Sequence, residues 1–304
     1  MTLVKAASAH ELLKRRLSES IREIGENGRK NKTMNHRAAP NLMYNPTQNE
    51  HWANTASHGL MVVPSILANE LLVWKSQQIR NTLNNWKDSC SDGDFKESIT
   101  SYCYGNQSHP TFAEFEFTSR TYGASLISLF LISTLYHWIC WTQSQWKVKT
   151  GRHKGCAERR PSLNKSFHYC DRTTIYFFIA GSYTPWLMLR KIHPSIVWLQ
   201  WIVWLGAAGG VTYSYLFFEK YKLLDTVLYI VAGLFPGLAM VLFQAENTVS
   251  GMPELAIGGA FYLTGVIFFK CDGILPYAHA IWHLFVACGA FTHYYGIYFH
   301  LYSQ

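Results

Sequence analysis

Seven stretches of mostly apolar residues, each about 20 residues long, constrain this chain more than any other feature. They fall at about 54–74, 120–141, 167–189, 195–218, 223–243, 253–270 and 279–301. Each matches the roughly 30 Å hydrocarbon core of a bilayer, which a helix crosses in about 20 residues. A backbone in lipid must satisfy its hydrogen bonds internally, so the blocks read as an all-α integral membrane protein, a seven-transmembrane helix bundle. The connections are mostly short, which makes sequence neighbours antiparallel and the whole a single bundle. No internal repeat is present.

Composition agrees once its distribution is considered. Charged residues make up 15% of the 304, against about a quarter in a soluble domain, and 49% are hydrophobic. The mean hydropathy of -0.02 averages these apolar blocks with a polar first 50 residues and two charged connectors. A net charge of +8 would suit nucleic acid if it gathered on one soluble face. Here Lys and Arg flank apolar blocks, so the charge reads as a topology signal and no nucleic-acid partner is expected. The start of the chain lacks a cleavable signal-peptide pattern, and the first span is expected to direct insertion.

Nineteen Lys and Arg lie on one side of the expected topology: nine in the tail, seven between Thr142 and Ser166, and Lys220, Lys222 and Lys270. Seven lie on the other side or near it. Basic loops stay cytosolic, which predicts a cytosolic N-terminus and a luminal or extracellular C-terminus. Residues 1–50 then form a cytosolic tail and 51–304 the seven-helix domain, with a luminal loop at about 75–119 and a basic cytosolic loop at about 142–166. In the tail, Leu12, Leu13, Leu17, Ile21 and Ile24 recur at helical spacing opposite Lys14, Arg15, Arg16 and Arg22. That pattern fits either an amphipathic surface helix or a partly disordered tail. The luminal loop holds the acceptor sequon Asn106-Gln107-Ser108 and the cysteines Cys90 and Cys103, whose pairing the sequence leaves open. The other five cysteines form no CxxC pair and read as reduced.

Ionisable residues inside a hydrocarbon slab are costly and therefore point to function. Ser133 and His137 share a face near the cytosolic end of the second block, Asp171 lies about one turn into the third, and His279 and His283 share a face at the start of the seventh. Alternating topology brings all five to one depth. Three imidazoles make a tetrahedral zinc site with one open position, where a bound water becomes acidic. Asp171 beside that water is the candidate general base, and Ser133 the candidate donor to substrate or oxyanion. The competing reading is a metal-free polar network that joins helices. Glu50, Asn54 and His58 recur every fourth residue at the first block's entry. They fit either a supporting or gating role beside the metal, or a helix cap with inter-helix hydrogen bonds. Pro185, Pro236 and the Gly pairs at 209–210 and 258–259 read as kinks and close packing.

These motifs resemble the progestin and adipoQ receptor family, also called haemolysin-III-like, and within it the monocyte-to-macrophage differentiation factor branch. The resemblance runs over residues 34–302 and is carried by the ExxxNxxxH entry, STLYH, CDRTTIYFFIAGSYTPWL and PYAHAIWHLFVA. It implies seven helices, a cytosolic N-terminus and zinc held by His137, His279 and His283 with Ser133 and Asp171 nearby. The branch implies a role in signalling or membrane-lipid regulation, as a receptor or membrane adaptor with membrane lipid and other membrane or signalling proteins as partners. The alternative, implied by the alkaline ceramidases of the wider superfamily, is zinc-dependent hydrolysis of a ceramide-like lipid amide. The branch further implies internal membranes, Golgi or late endosome and lysosome. The connector holding KVKTGRHKGCAERR is longer than the branch pattern. Two other seven-span classes do not fit. A retinal protein needs a last-span lysine, and residues 274–304 have none. In G-protein-coupled receptors the orientation is opposite and the DRY-like motif ends the third span, whereas Asp171-Arg172 begins it here.

Overall fold

A computed structural model describes residues 34–35, 37, 44–89, 110–150, 161–190, 192–217, 220–243 and 250–303. The tail pattern at 12–24, the sequon, Cys90 and Cys103 lie outside these residues, as do 151–160 of the basic connector. Among the described residues the α-helices are α1 (Gln48–Ser89), α2 (Phe112–Thr150), α3 (Pro161–Leu189), α4 (Leu199–Leu216), α5 (Lys222–Leu242), α6 (Met252–Phe269) and α7 (Ala278–Leu301), with a 3-10 turn at Pro194–Ile196. Each apolar block lies in its own helix. Five helical stretches are long and apolar enough to cross a membrane by length and composition. Helices α3 and α7 are not among them, because they carry the polar residues described below.

The first two helices overrun their blocks. At 42 residues, α1 is about 63 Å long, roughly twice the hydrocarbon thickness. The expected luminal loop is therefore helical up to Ser89 and again from Phe112, and the basic connector is helical up to Thr150. The apolar criterion reads only the part of a helix inside lipid. Both helices also start with the same device. Glu50 N–H donates to Thr47 Oγ1 at 3.3 Å while Thr47 N–H donates to Glu50 Oε2 at 2.7 Å. Thr111 and Glu114 repeat this pairing at 3.3 and 2.6 Å. These reciprocal capping boxes satisfy donors that a helix start leaves unpaired.

Sequence neighbours pack together, and α7 returns against α1 and α3. The outward faces are apolar. On α1, Leu60, Val63, Leu67, Leu71 and Trp74 are exposed at helical spacing, as are Leu223, Val227, Val231, Leu238 and Leu242 on α5. The interior mixes Trp186, Tyr122, Leu72, Leu199 and Ile297 with many hydroxyls. Ser65, Ser76, Ser125 and Thr184 each donate to a carbonyl of the preceding turn, so they are buried without an unmet donor. Small residues let helices approach closely: a Cβ on Gly181 of α3 would overlap the Ser125 side chain of α2.

A charged network ties α3 to α4 and α5. Asp225 Oδ1 accepts from Tyr176 at 3.2 Å and from Ser214 at 3.1 Å, and its Oδ2 lies 3.6 Å from Arg172 Nη1. Tyr229 OH donates to the Arg172 carbonyl at 3.1 Å. The network fixes the backbone next to Asp171.

Candidate metal centre

The centre assembles where α1, α2, α3 and α7 meet. His137 (α2) and His283 (α7) are buried and His279 (α7) is partly buried, with one ligand atom from each lying within 4.8 Å of the other two. His279 and His283 are four residues apart on one face of α7, and His137 reaches them from α2. His137 sits edge-on to both, with ring centroids 5.1 Å away in each case.

Two hydrogen bonds orient these rings. Asp272 Oδ2 lies 3.3 Å from His279 Nδ1. Ser57 Oγ lies 2.8 Å from His283 Nδ1, and the same hydroxyl donates to the Asn54 carbonyl at 3.0 Å. With its proton so engaged, Ser57 is left to accept from Nδ1–H. In both rings Nδ1 then carries the proton and Nε2 is free as a ligand, the arrangement that tunes metal-binding histidines. The buried His137 Nε2 has no hydrogen-bond partner among the described residues. A metal-free network would be expected to pair that nitrogen. Three converging imidazoles with two fixed tautomers and one unpaired nitrogen fit a divalent metal ion.

Ser133 and Asp171 stand at the same place. Asp171 is partly buried, and Ser133, His279 and Arg172 are its polar neighbours. Both line a cavity of about 920 Å³ that also reaches His137, His279 and His283, large enough for a drug-sized or lipid-like molecule. Arg37, Arg172, Lys270 and Asp272 also reach it, and an apolar part of the wall includes Leu129, Ile175, Phe178, Ile179, Leu234, Leu263 and Val286.

The ExxxNxxxH stripe divides its roles. Glu50 is 3% exposed; besides capping α1 it accepts from Tyr44 OH at 3.0 and 2.9 Å, and the Tyr44 oxygen accepts from Asn35 N–H at 3.1 Å. Burial and the Glu50 carboxylate push the Tyr44 phenol well above its ordinary range, so it stays a donor. Glu50 therefore ties Tyr44 and Thr47, and through Tyr44 also Asn35, all three of which line the cavity, to the start of α1, and none of these bonds reaches a histidine. Asn54, 1% exposed, presents a buried Oδ1 without a partner among the described residues. His58 stacks on His283 with centroids 3.6 Å apart and lies edge-on to Phe130 at 5.1 Å. His168 stacks instead on Tyr136 at 5.0 Å.

Asp272 and Ser57 carry no signal in the sequence. Neither sits at a spacing that signals a ligand, since each meets its histidine only through the fold. Asp272 reaches its position in a tight connector: Gly273 has φ 75°, and a Cβ there would strike the Arg37 backbone. Tyr277, just before α7, has φ 58°, a left-handed conformation that costs a non-glycine residue about 1–2 kcal/mol.

Fold and centre together define a multi-pass helical membrane protein with a buried tri-histidine cluster beside a lipid-sized cavity. Residues 47–294 match the family model described as Haemolysin-III related. The chain is 39% identical over 271 residues to the monocyte to macrophage differentiation factor of Homo sapiens, covering 89% of this chain and 92% of that protein. It is 34% identical over 169 residues to Hemolysin-3 of Bacillus cereus, covering 56% of this chain and 68% of that protein. For the Hemolysin-3 homolog of Bacillus subtilis (strain 168) the identity is 32% over 169 residues, with 56% and 70% covered. The protein belongs to the Haemolysin-III related family.

Proposed function

We propose that the protein is a zinc-dependent hydrolase of a membrane-lipid amide of the ceramide type. The observation that carries this reading is one cavity wall presenting three convergent histidines, a carboxylate and a hydroxyl to a chamber whose wall is apolar in part. Zinc, held by His137, His279 and His283, would polarise the amide carbonyl and make a water acidic. Asp171 accepts the proton of the attacking water and returns it to the leaving amine. Ser133 donates a hydrogen bond to the carbonyl oxygen as charge develops there. Asp272 and Ser57 hold His279 and His283 in the tautomer that presents Nε2. Ile175, Phe178 and Ile179 of α3 shelter the alkyl chains and exclude water.

A second reading is a signalling receptor or adaptor in which the metal is structural. The bonded set of Asn35, Tyr44 and Glu50 favours it, since Asn35 and Tyr44 line the cavity and an occupant would press on them. The name of the human relative, a differentiation factor, points the same way. We further propose a cytosolic N-terminal tail and residence in Golgi or late endosomal and lysosomal membranes, supported by the Lys and Arg asymmetry and the family resemblance.

The test uses full-length protein in lipid nanodiscs. Zinc is measured by elemental analysis and fatty-acid release is followed from a short-chain fluorescent ceramide. About one zinc per chain, with release abolished by Asp171→Asn and zinc lost in His279→Ala/His283→Ala, is expected. A zinc-loaded protein that releases nothing supports the signalling reading. A well-folded protein without zinc refutes both.

A further inference from the structure

The far end of the cavity has no part in that chemistry, yet it too is polar. His293 lies ten residues beyond His283 along α7, about 15 Å deeper at the helical rise, and lines the same cavity. It is 4% exposed; the Leu255 backbone of α6 lies beside its ring, and neither ring nitrogen makes a hydrogen bond of ordinary geometry among the described residues. Tyr262 of α6 meets it edge-on with centroids 5.4 Å apart, and its buried hydroxyl is likewise unpartnered. Tyr183 of α3 completes the wall; it donates to the Gly233 carbonyl, which leaves its oxygen able to accept.

The two rings occupy dedicated seats. A Cβ on Gly258 would overlap the His293 imidazole, and one on Gly289 would come within 2.8 Å of the Tyr262 ring. Half of the Gly pair at 258–259 is thus small because an imidazole lies against it. If these rings served packing alone, phenylalanine or leucine would fill the space without stranding polar atoms. Between this pair and the metal centre the lining includes Phe178, Leu263, Val266 and Val286, with no charged group among those four.

We propose that His293 and Tyr262 form a second binding station, which hydrogen-bonds a hydroxyl or oxo group carried on the chain of a lipid whose head lies at the histidine centre. A neutral imidazole offers one donor and one acceptor, and a phenol offers both. A chain hydroxyl can therefore donate to His293 and accept from Tyr262. The station selects long-chain amphiphiles with a second polar group about 15 Å from the head. It deepens the lipid-binding part of the proposed function and does not depend on hydrolysis.

The experiment measures binding of laurate and ω-hydroxylaurate to the full chain in lipid nanodiscs by calorimetry, with zinc content read on the same samples. Wild type is expected to bind ω-hydroxylaurate roughly tenfold tighter than laurate, the effect of one well-placed buried hydrogen bond. His293→Leu and Tyr262→Phe should each erase most of that preference while laurate binding holds. Should the variants fold poorly, ω-methoxylaurate on wild type serves instead, because it cannot donate and should lose part of the gain. Equal binding of laurate and ω-hydroxylaurate, or binding of neither, overturns the station. A zinc-free wild type that keeps the preference removes the metal centre but not the station, and a zinc-loaded one without it does the reverse.

Discussion

Asp225→Ala should be among the most damaging single substitutions outside the histidine centre. The carboxylate is 7% exposed and its partner Arg172 is 15% exposed. Truncation removes the acceptor of Tyr176 and Ser214, at 3.2 and 3.1 Å, and leaves the guanidinium without its counter-charge. Hydrogen bonds to a charged acceptor contribute about 1.5–3 kcal/mol each, and breaking a buried ion pair costs about 3–5 kcal/mol. The two ranges describe the same loss and do not add. The 3.6 Å separation and the contact of Arg172 with the cavity place the expectation at the low end, about 3 kcal/mol. Arg172→Met removes the stranded cation, so the double variant should recover about 1–2 kcal/mol relative to the sum of the singles. The assay is far-UV circular dichroism along a reversible SDS titration of the four proteins in mixed micelles. A cost below about 1 kcal/mol for Asp225→Ala, or strictly additive singles, would refute the argument that this network holds α3 in place.

Five residues at the site and in the helices give further tests. Asp272→Ala and Ser57→Ala should each weaken zinc binding by about tenfold at unchanged stoichiometry, read by competition with a chromophoric chelator. Equal affinities would mean that the ring tautomers are set elsewhere. Thr47→Ala should lower stability by about 1 kcal/mol through the α1 cap, seen as a reduced melting temperature in detergent. Gly→Ala should have opposite signs at two positions. At Gly181 the new Cβ meets the Ser125 side chain and should cost about 1–3 kcal/mol. At Gly206 nothing lies within 4 Å, and the gain in helix propensity should stabilise by up to about 1 kcal/mol. The same micelle titration reads both, and matching signs would refute the packing assigned to Gly181.

The helical architecture was legible because lipid imposes a length and a polarity on every span, and all seven apolar blocks lie in separate helices. The overrun of α1 and α2 was not, since outside lipid the helix is held by caps and neighbours. The Thr47–Glu50 and Thr111–Glu114 signatures were readable but lie apart from the apolar criterion. Within the centre, His137, His279, His283, Ser133 and Asp171 could be gathered because alternating topology fixes depth. Glu50, Asn54 and His58 share a stripe, and only the fold shows that the first holds Tyr44 and Thr47 while the last stacks on His283. Ser57 and Asp272 carry no spacing signal, because a hydroxyl one turn from Asn54 and an acid in a connector are ordinary until α7 is seated. His293 was similarly silent, as a lone histidine in an apolar helix usually has a local partner.

The two helices that fail the simple test for a membrane span, α3 and α7, are those that carry Asp171, Arg172, His279, His283 and His293, and they pack against each other. A charged residue at the middle of an isolated span costs about 2.5–3.5 kcal/mol to insert. Apolar helices around them supply the lipid-facing surface, with the exposed leucines and valines of α1 and α5 on the outside. The polar interior is tolerated only because the bundle is assembled, so insertion of α3 and α7 is coupled to packing. Replacing their polar residues with leucine would therefore ease insertion of the single helix while emptying the cavity wall of its chemistry, a direct opposition between stability and activity. Buried atoms without a hydrogen-bond partner among the described residues, at His137, Asn54 and Tyr262, extend the same logic. Each costs about 1–3 kcal/mol unless a ligand pairs it, and such a cost is sustained where binding recovers it.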